Sequence, residues 1–220
     1  MSVFELFDPK SEFVISEGGH LPHWYQPGVT YFVTFRTADS LPLSVARQWH
    51  WRREDWLVRH GIQLAGGDVD AGLRSLTQAK QREFHEVFSD EYLAHLDRGH
   101  GACHLRSPCL ARVVAESLLH FDGERYHMGA FVIMPNHVHL LARMLHDTEI
   151  QEQCESWKRF TARGINRQLG RSGRFWQEES FDHLVRTPEQ FEAIREYIQT
   201  NPQKAKLRKD EYLFWKRQDS

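Results

Sequence analysis

Residues 126–143 constrain the fold of this chain more than any other stretch. Ala130-Phe131-Val132-Ile133-Met134 is an unbroken apolar run closing a segment that opens at Tyr126. Such runs form strands buried on both faces rather than strands with one wet face. Pro135-Asn136 follows, and this pair suits a tight corner, because proline presets its φ angle and asparagine tolerates turn geometry. His137-Val138-His139-Leu140-Leu141-Ala142-Arg143 then returns as a second strand. The segment therefore reads as a hairpin in the interior of a sheet.

The flanking segments extend this picture. Residues 1–30 look irregular, punctuated by Gly18-Gly19, Pro22 and Pro27-Gly28, and Tyr31–Arg36 has the β-branched and aromatic makeup of a strand. Residues 43–61 and 78–97 suit amphipathic helices separated by a loop at Ala65-Gly66-Gly67-Asp68. A helix is predicted over Pro108–Phe121, burying Leu110, Val113, Val114, Leu118 and Leu119. A longer one is predicted over Thr148–Leu169, stopped by Gly170, and then a short strand over Phe181–Arg186. The last helix starts at Thr187-Pro188-Glu189-Gln190, where threonine can cap, proline occupies the first turn and glutamine can complete a capping box. Asn201-Pro202 is predicted to end it, since proline disfavours helical geometry in the residue before it. Strands and helices thus alternate with a hairpin, which gives an α+β domain with an antiparallel sheet and helices mainly on one face. The whole of 1–220 reads as one domain, with 43–100 as a helical insertion.

Composition sets limits on function. Three cysteines, Cys103, Cys109 and Cys154, are too few and too irregular for a disulfide framework, and no apolar run nears the ~20 residues of a membrane span. A cytoplasmic, nucleoid-associated protein is expected. The net charge of −2 does not mark a nucleic-acid binder, so any such role must come from local clustering. Cys103-His104 with Cys109 matches no structural zinc spacing.

Three groups of residues could carry chemistry. His137 and His139 lie two apart on a strand and so project from one face, where paired imidazoles can hold a metal ion. Two polar residues on a wet strand face would look the same. On the last helix, Tyr197 and Asn201 fall one turn apart at the margin of the stripe formed by Phe191, Ile194 and Ile198. That places a phenol and a carboxamide where helix meets sheet, although an edge-of-core aromatic and a helix terminator would show the same spacing. Finally, Lys158, Arg159, Arg163, Arg167, Arg171 and Arg174 occupy a window without an acidic residue, interleaved with Trp157, Phe160, Phe175 and Trp176. Basic side chains tracking phosphates beside stackable aromatics suit single-stranded nucleic acid. A solvated helix face over core aromatics is the competing reading, and Phe160 in particular is assigned to the core.

YFVTFR, RGHGACHLRSP, FDGERYHMGAFVIMPNHVHLL, SWKRFTARGIN, FWQEESFDHLVR and YIQTNPQKAKL, taken in succession, resemble the REP-associated tyrosine transposases, IS200-like members of the HUH single-strand DNA endonucleases. The resemblance runs from about Gly19 to Trp215 and is weakest between about Arg47 and Leu93. It implies a ferredoxin-like core, with His137 and His139 as metal ligands, Tyr197 as nucleophile and Asn201 in the position of the third ligand. Trp176, Gln177, Asp182 and His183 fall in a matching block without an assigned role. The implied cofactor is Mg²⁺ or Mn²⁺, and the implied partner is single-stranded or hairpin DNA from palindromic repeats, bound by a monomer or homodimer. The implied reaction is attack of the tyrosine on a phosphodiester, giving a 5′-phosphotyrosine that a 3′-hydroxyl can reverse. A hairpin-binding regulator without catalysis is the alternative. Histidine-triad hydrolases need a third alternating histidine, where position 141 is leucine. A phosphodiesterase using water would not depend on Tyr197.

Overall fold

The computed structural model describes residues 4–16, 23–64, 69–85, 87–88, 95–96, 98–146, 148–178 and 180–218. Two compact units emerge, one comprising residues 1–40 and 102–220, the other residues 41–101.

The larger unit is built on a five-stranded antiparallel sheet. Its strands are β3 (Thr30–Arg36), β4 (Tyr126–Ile133), β5 (His137–Met144), β6 (Phe181–Leu184) and β7 (Leu213–Lys216), ordered β6-β3-β5-β4-β7. The helices α4 (Pro108–Leu119), α5 (Ile150–Gln168) and α6 (Pro188–Lys204) connect them. Up to β6 the chain runs β-α-β-β-α-β, with the last strand beside the first and the third between the first and second. This is the ferredoxin-like arrangement expected from the resemblance, with β7 added at the β4 edge.

All seven residues of β3 are buried, and β4 and β5 are buried almost throughout, so both faces of the sheet are covered. On one face Tyr31, Val33, Phe35, Val138 and Leu140 pack with Leu110, Val114 and Leu118 of α4 and Trp157 and Ile165 of α5. Gly164 lets these two helices approach, since a Cβ there would lie 3.0 Å from Val113 Cγ1. Gly170, at φ +61°, closes α5 in the left-handed conformation that glycine adopts without strain. On the other face Phe32, Val132, Leu141 and Val185 meet Phe191, Ile194, Tyr197 and Ile198 of α6. Helices therefore cover both faces, where one face was expected. Periodicity locates the stripe of a helix but not the side of the sheet it lands on.

Thr187 caps α6 through a 3.1 Å bond from Gln190 N–H, and Gln190 Oε1 reaches back to the N–H of Arg186, one residue beyond the N-cap N–H used in a standard capping box. The helix runs through Asn201-Pro202 to Lys204 rather than ending there. Asn201 and Pro202 are both buried, and that burial outweighs the local bias against helix before proline. Two further departures are short elements. β1 (Val14–Ser16) and β2 (His23–Tyr25) pair within a region read as irregular, and β7 stacks Trp215 on Phe131 at 5.4 Å. Strands of three or four residues are too short to leave a periodic signal.

The smaller unit contains α1 (Leu43–Arg59), α2 (Val69–Ser75) and α3 (Gln78–His85) around Leu57, Ile62, Phe84 and Phe88. Trp56 stacks on His60 at 3.7 Å and donates to Glu83, while Trp49 donates to the carbonyl of Phe88. Helix α2 has no counterpart in the sequence reading. The loop at 65–68, Gly18-Gly19, Pro22 and much of 86–97 lie outside the described residues. No helix among the described residues is long and apolar enough to cross a membrane.

Candidate active site

Strand alternation sends His137, His139 and Leu141 to the α6 face and Val138 and Leu140 to the α4/α5 face. His137 and His139 are fully buried with ring centroids 4.6 Å apart. A neighbour orients each ring. Asn136 Oδ1 bonds His137 Nδ1 at 2.8 Å, and Thr34, directly across from His139 in the β3–β5 register, bonds His139 Nδ1 at 2.7 Å. Partners on Nδ1 fix ring orientation and direct the Nε2 lone pairs onto the α6 face. Burial, and after it the charge of His137, holds the pKa of His139 well below the ordinary histidine value, so this ring is neutral at neutral pH. Neutral imidazole is the form that binds a metal.

Tyr197 meets the pair from α6. Its hydroxyl lies 3.3 Å from His139 Nε2, inside the ~8 Å separation at which phenol and imidazoles can address one phosphate. Phe32 positions both partners, stacking on His139 at 5.6 Å and meeting Tyr197 edge-on at 6.0 Å. The Lys204 ammonium stands 5.4 Å from the centre of the tyrosine ring.

Helix α6 follows β6, whose Leu184 pairs with Tyr31, and β7 resumes opposite Ile133. The helix thus runs toward the 135–136 corner, and Asn201, one turn beyond Tyr197, is displaced toward His137. Its carboxamide is completely buried, and neither Oδ1 nor Nδ2 has a hydrogen-bond partner. An orphaned buried amide is costly, by ~1–3 kcal/mol. Two imidazoles and such an amide fit a divalent ion as an uncharged N,N,O donor set. Among the described residues no group of three His, Cys, Asp or Glu side chains forms, so no carboxylate completes the set.

The basic window divides. Arg159, Arg163, Arg167, Arg171 and Arg174 are exposed, whereas Lys158 is buried and turns its ammonium onto the carbonyl of Glu178. Lys158 therefore leaves the expected DNA-facing set. Arg174 pairs with Glu178, and Arg171 donates to the carbonyl of Arg174. Arg159, Arg163 and Arg167 form a row on the solvent side of α5, and α5 covers the sheet face opposite the histidines. The structure does not bring this row to the paired imidazoles. Trp157, Phe175 and Trp176 are core residues, with Trp176 Nε1 donating to Thr161. Phe160, assigned to the core from sequence, is 63% exposed beside the arginines.

Gln177 and Trp176 line up along the end of β3, through the Gln177 N–H bond to the Arg36 carbonyl and the Thr37–Trp176 bridge. Asp182 accepts from Gln151 on the α5 face, and His183 contacts Gln190 on the α6 face. Thr34 and Phe32 escaped the sequence reading, because only the strand register places them against His139. Asn136 was visible as a corner residue, though not as a partner of His137.

Residues 112–201 match the family model described as Transposase IS200 like, which bears out the resemblance read from the sequence. The matched stretch holds His137, His139, Tyr197 and Asn201 together. No curated protein matches this chain. A solved structure of a REP-associated tyrosine transposase bound to a REP hairpin is similar at 12% identity, covering 84% of this chain and 73% of that one, with a TM-score of 0.45, too slight a likeness to build on.

Proposed function

We propose that this protein is a transposase-like enzyme that cuts and rejoins single-stranded DNA beside hairpins, with Tyr197 as nucleophile. One observation carries the reading, the 3.3 Å approach of the Tyr197 hydroxyl to a buried, oriented histidine pair within the segment that matches the transposase family. Tyr197 Oη attacks the scissile phosphorus, the 3′-oxygen leaves, and a 5′-phosphotyrosine forms. Because the ester bond is exchanged rather than hydrolysed, a 3′-hydroxyl can reverse the step and join strands. A phenol of pKa ~10 is a weak nucleophile, and Lys204 beside its ring favours the phenolate.

His137, His139 and Asn201 are the residues that would hold a divalent ion, Mg²⁺ or Mn²⁺. When bound, such an ion supplies Lewis acidity toward a phosphate oxygen. Thr34 and Asn136 keep the imidazoles oriented for that task. Arg159, Arg163 and Arg167, on the far side of the sheet, contact phosphates of the substrate remote from the reacting one.

The test is to incubate the protein with a hairpin-bearing single strand and Mn²⁺ and resolve a covalent protein–DNA adduct on a denaturing gel. An adduct lost in Tyr197→Phe is expected. Hairpin binding without any adduct in the wild type would leave a binding-only regulator.

A further inference from the structure

Arg36 closes β3 at the histidine end of the sheet, and strand register brings it into the site. Its Cα is the partner of the His137 Cα across the β3–β5 ladder, two positions beyond the Thr34–His139 pair. Alternation along β3 sends Phe32, Thr34 and Arg36 to one face, and the contacts of Phe32 and Thr34 with His139 identify it as the face under α6. Directly paired residues on one face of an antiparallel ladder have Cβ atoms ~4.5–5.5 Å apart, so the arginine stem leaves the strand beside His137. The residue is only 9% exposed. A cation is therefore built into the same buried face as the paired imidazoles.

The guanidinium is held in place. Nη1 donates to Ser40 Oγ at 3.2 Å, and that hydroxyl donates in turn to the Thr37 carbonyl at 2.8 Å. Ser40 is fully buried, and the turn that carries it is fastened to the site by the bond from Thr37 N–H to the Asn136 carbonyl. Its other side is tied to the core by the bond from Ala38 N–H to the Phe175 carbonyl. Keeping a cation buried is costly, and a phosphate is the anion whose paired oxygens match the planar N–H fork of a guanidinium. The side chains assigned to a metal, His137, His139 and Asn201, form an uncharged set. A phosphate attacked by Tyr197 gathers negative charge on its non-bridging oxygens, and the strand order sets Arg36 beside the position where that charge grows.

We infer that Arg36 is a further catalytic residue, donating to a non-bridging oxygen of the scissile phosphate as Tyr197 Oη bonds to phosphorus and the 3′-oxygen leaves. The inference rests on the strand-cutting reading above. Strands with a methylphosphonate in place of the scissile phosphate, each diastereomer used separately, lack one of those charged oxygens and test it. Fluorescence anisotropy without metal reads binding apart from turnover. In the wild type, the diastereomer missing the oxygen that Arg36 addresses binds roughly tenfold or more weakly than the phosphodiester. Arg36→Gln binds the same strands nearly alike, because guanidinium and oxygen act as a pair. On the phosphodiester with Mn²⁺, Arg36→Gln forms the covalent adduct about 10²–10³-fold more slowly, the loss expected for one donor aimed at developing charge. Arg36→Lys keeps the buried charge but not the fork, and shows the same pattern at smaller size in both assays. An arginine that only braces the 37–40 turn would leave the methylphosphonate penalty as large in Arg36→Gln as in the wild type. That result, or an unchanged adduct rate, would overturn the role of Arg36 while leaving the strand-cutting proposal intact. A wild-type protein that forms no adduct with the phosphodiester would instead overturn both.

Discussion

Replacing Asn201 by leucine separates a site residue from a packing residue by sign. In the structure the carboxamide is completely buried with both polar atoms unbonded, a penalty of ~1–3 kcal/mol that no structural benefit offsets. Leucine keeps the same branched outline with no polar atoms, so without metal Asn201→Leu should be more stable than the wild type by up to about that amount, less the cost of fitting its larger methyl groups. For a chain of 220 residues, with about 2–4 °C per kcal/mol, Tm rises by up to roughly 12 °C. Metal should reverse the comparison. At about 100 times its Kd a ligand of the native state contributes ~2.7 kcal/mol, so Mn²⁺ should raise the wild-type Tm by roughly 5–10 °C and leave the variant almost unmoved. Thermal melts followed by circular dichroism, with and without Mn²⁺, measure both effects. A variant that melts below the metal-free wild type, or that keeps the full Mn²⁺ shift, would refute the ligand role of Asn201.

Thr34→Val deletes the 2.7 Å bond to His139 Nδ1 with little change in shape; isothermal titration should show Mn²⁺ affinity down about 10–100-fold. Changing Arg159, Arg163 and Arg167 to alanine should flatten the salt dependence of hairpin binding by about 0.9 per arginine lost from a phosphate contact, while Tm stays within about 2 °C because all three are exposed. Burial raises the pKa of the Asp39 carboxyl, but the bond from Ala102 N–H and the nearby Thr37 hydroxyl outweigh it, and the net pKa lies below the ordinary aspartate value. Its contribution to stability is present above the unfolded pKa and is lost as pH falls through the folded one. Asp39→Asn should therefore lower Tm at pH 7, with the gap closing in melts taken at progressively acid pH.

What the sequence disclosed follows from the range of the interactions involved. The hairpin at 126–144 was legible because an apolar run, a corner pair and a period of two are all local, and the same period put His137 and His139 on one face. The spacing of Tyr197 and Asn201 was likewise set by one helix. The face covered by α6 was not legible, and neither were Thr34 and Phe32 against His139, because these depend on strand order and register. Phe160 and Lys158 exchanged roles for a related reason. On a helix whose apolar stripe is bordered by long amphipathic side chains, a lysine can bury its stem and reach a carbonyl while a neighbouring phenylalanine is left in solvent. Pro202 inside α6 is a case of tertiary burial prevailing over a local preference.

The contact between Tyr197 and His139 bears on how a metal ion would enter the site. In the tautomer whose Nδ1–H is satisfied by Thr34, the lone pair of His139 that points to α6 is on Nε2, and the phenol donates into it. That is the same lone pair a metal ion would use, so hydroxyl and metal would compete for it, and under the proposed mechanism the tyrosine would have to release the imidazole before turning to a phosphate. Tyr197→Phe keeps the ring against Phe32 and removes only the hydroxyl. If the two compete, Mn²⁺ should bind the phenylalanine variant more tightly, by the net worth of one hydrogen bond, ~0.5–1.5 kcal/mol or about 2–10-fold. If the hydroxyl instead supports the ion, affinity falls in the same titration. Because the measurement requires no DNA and no turnover, its sign reports on the arrangement of phenol and imidazole alone.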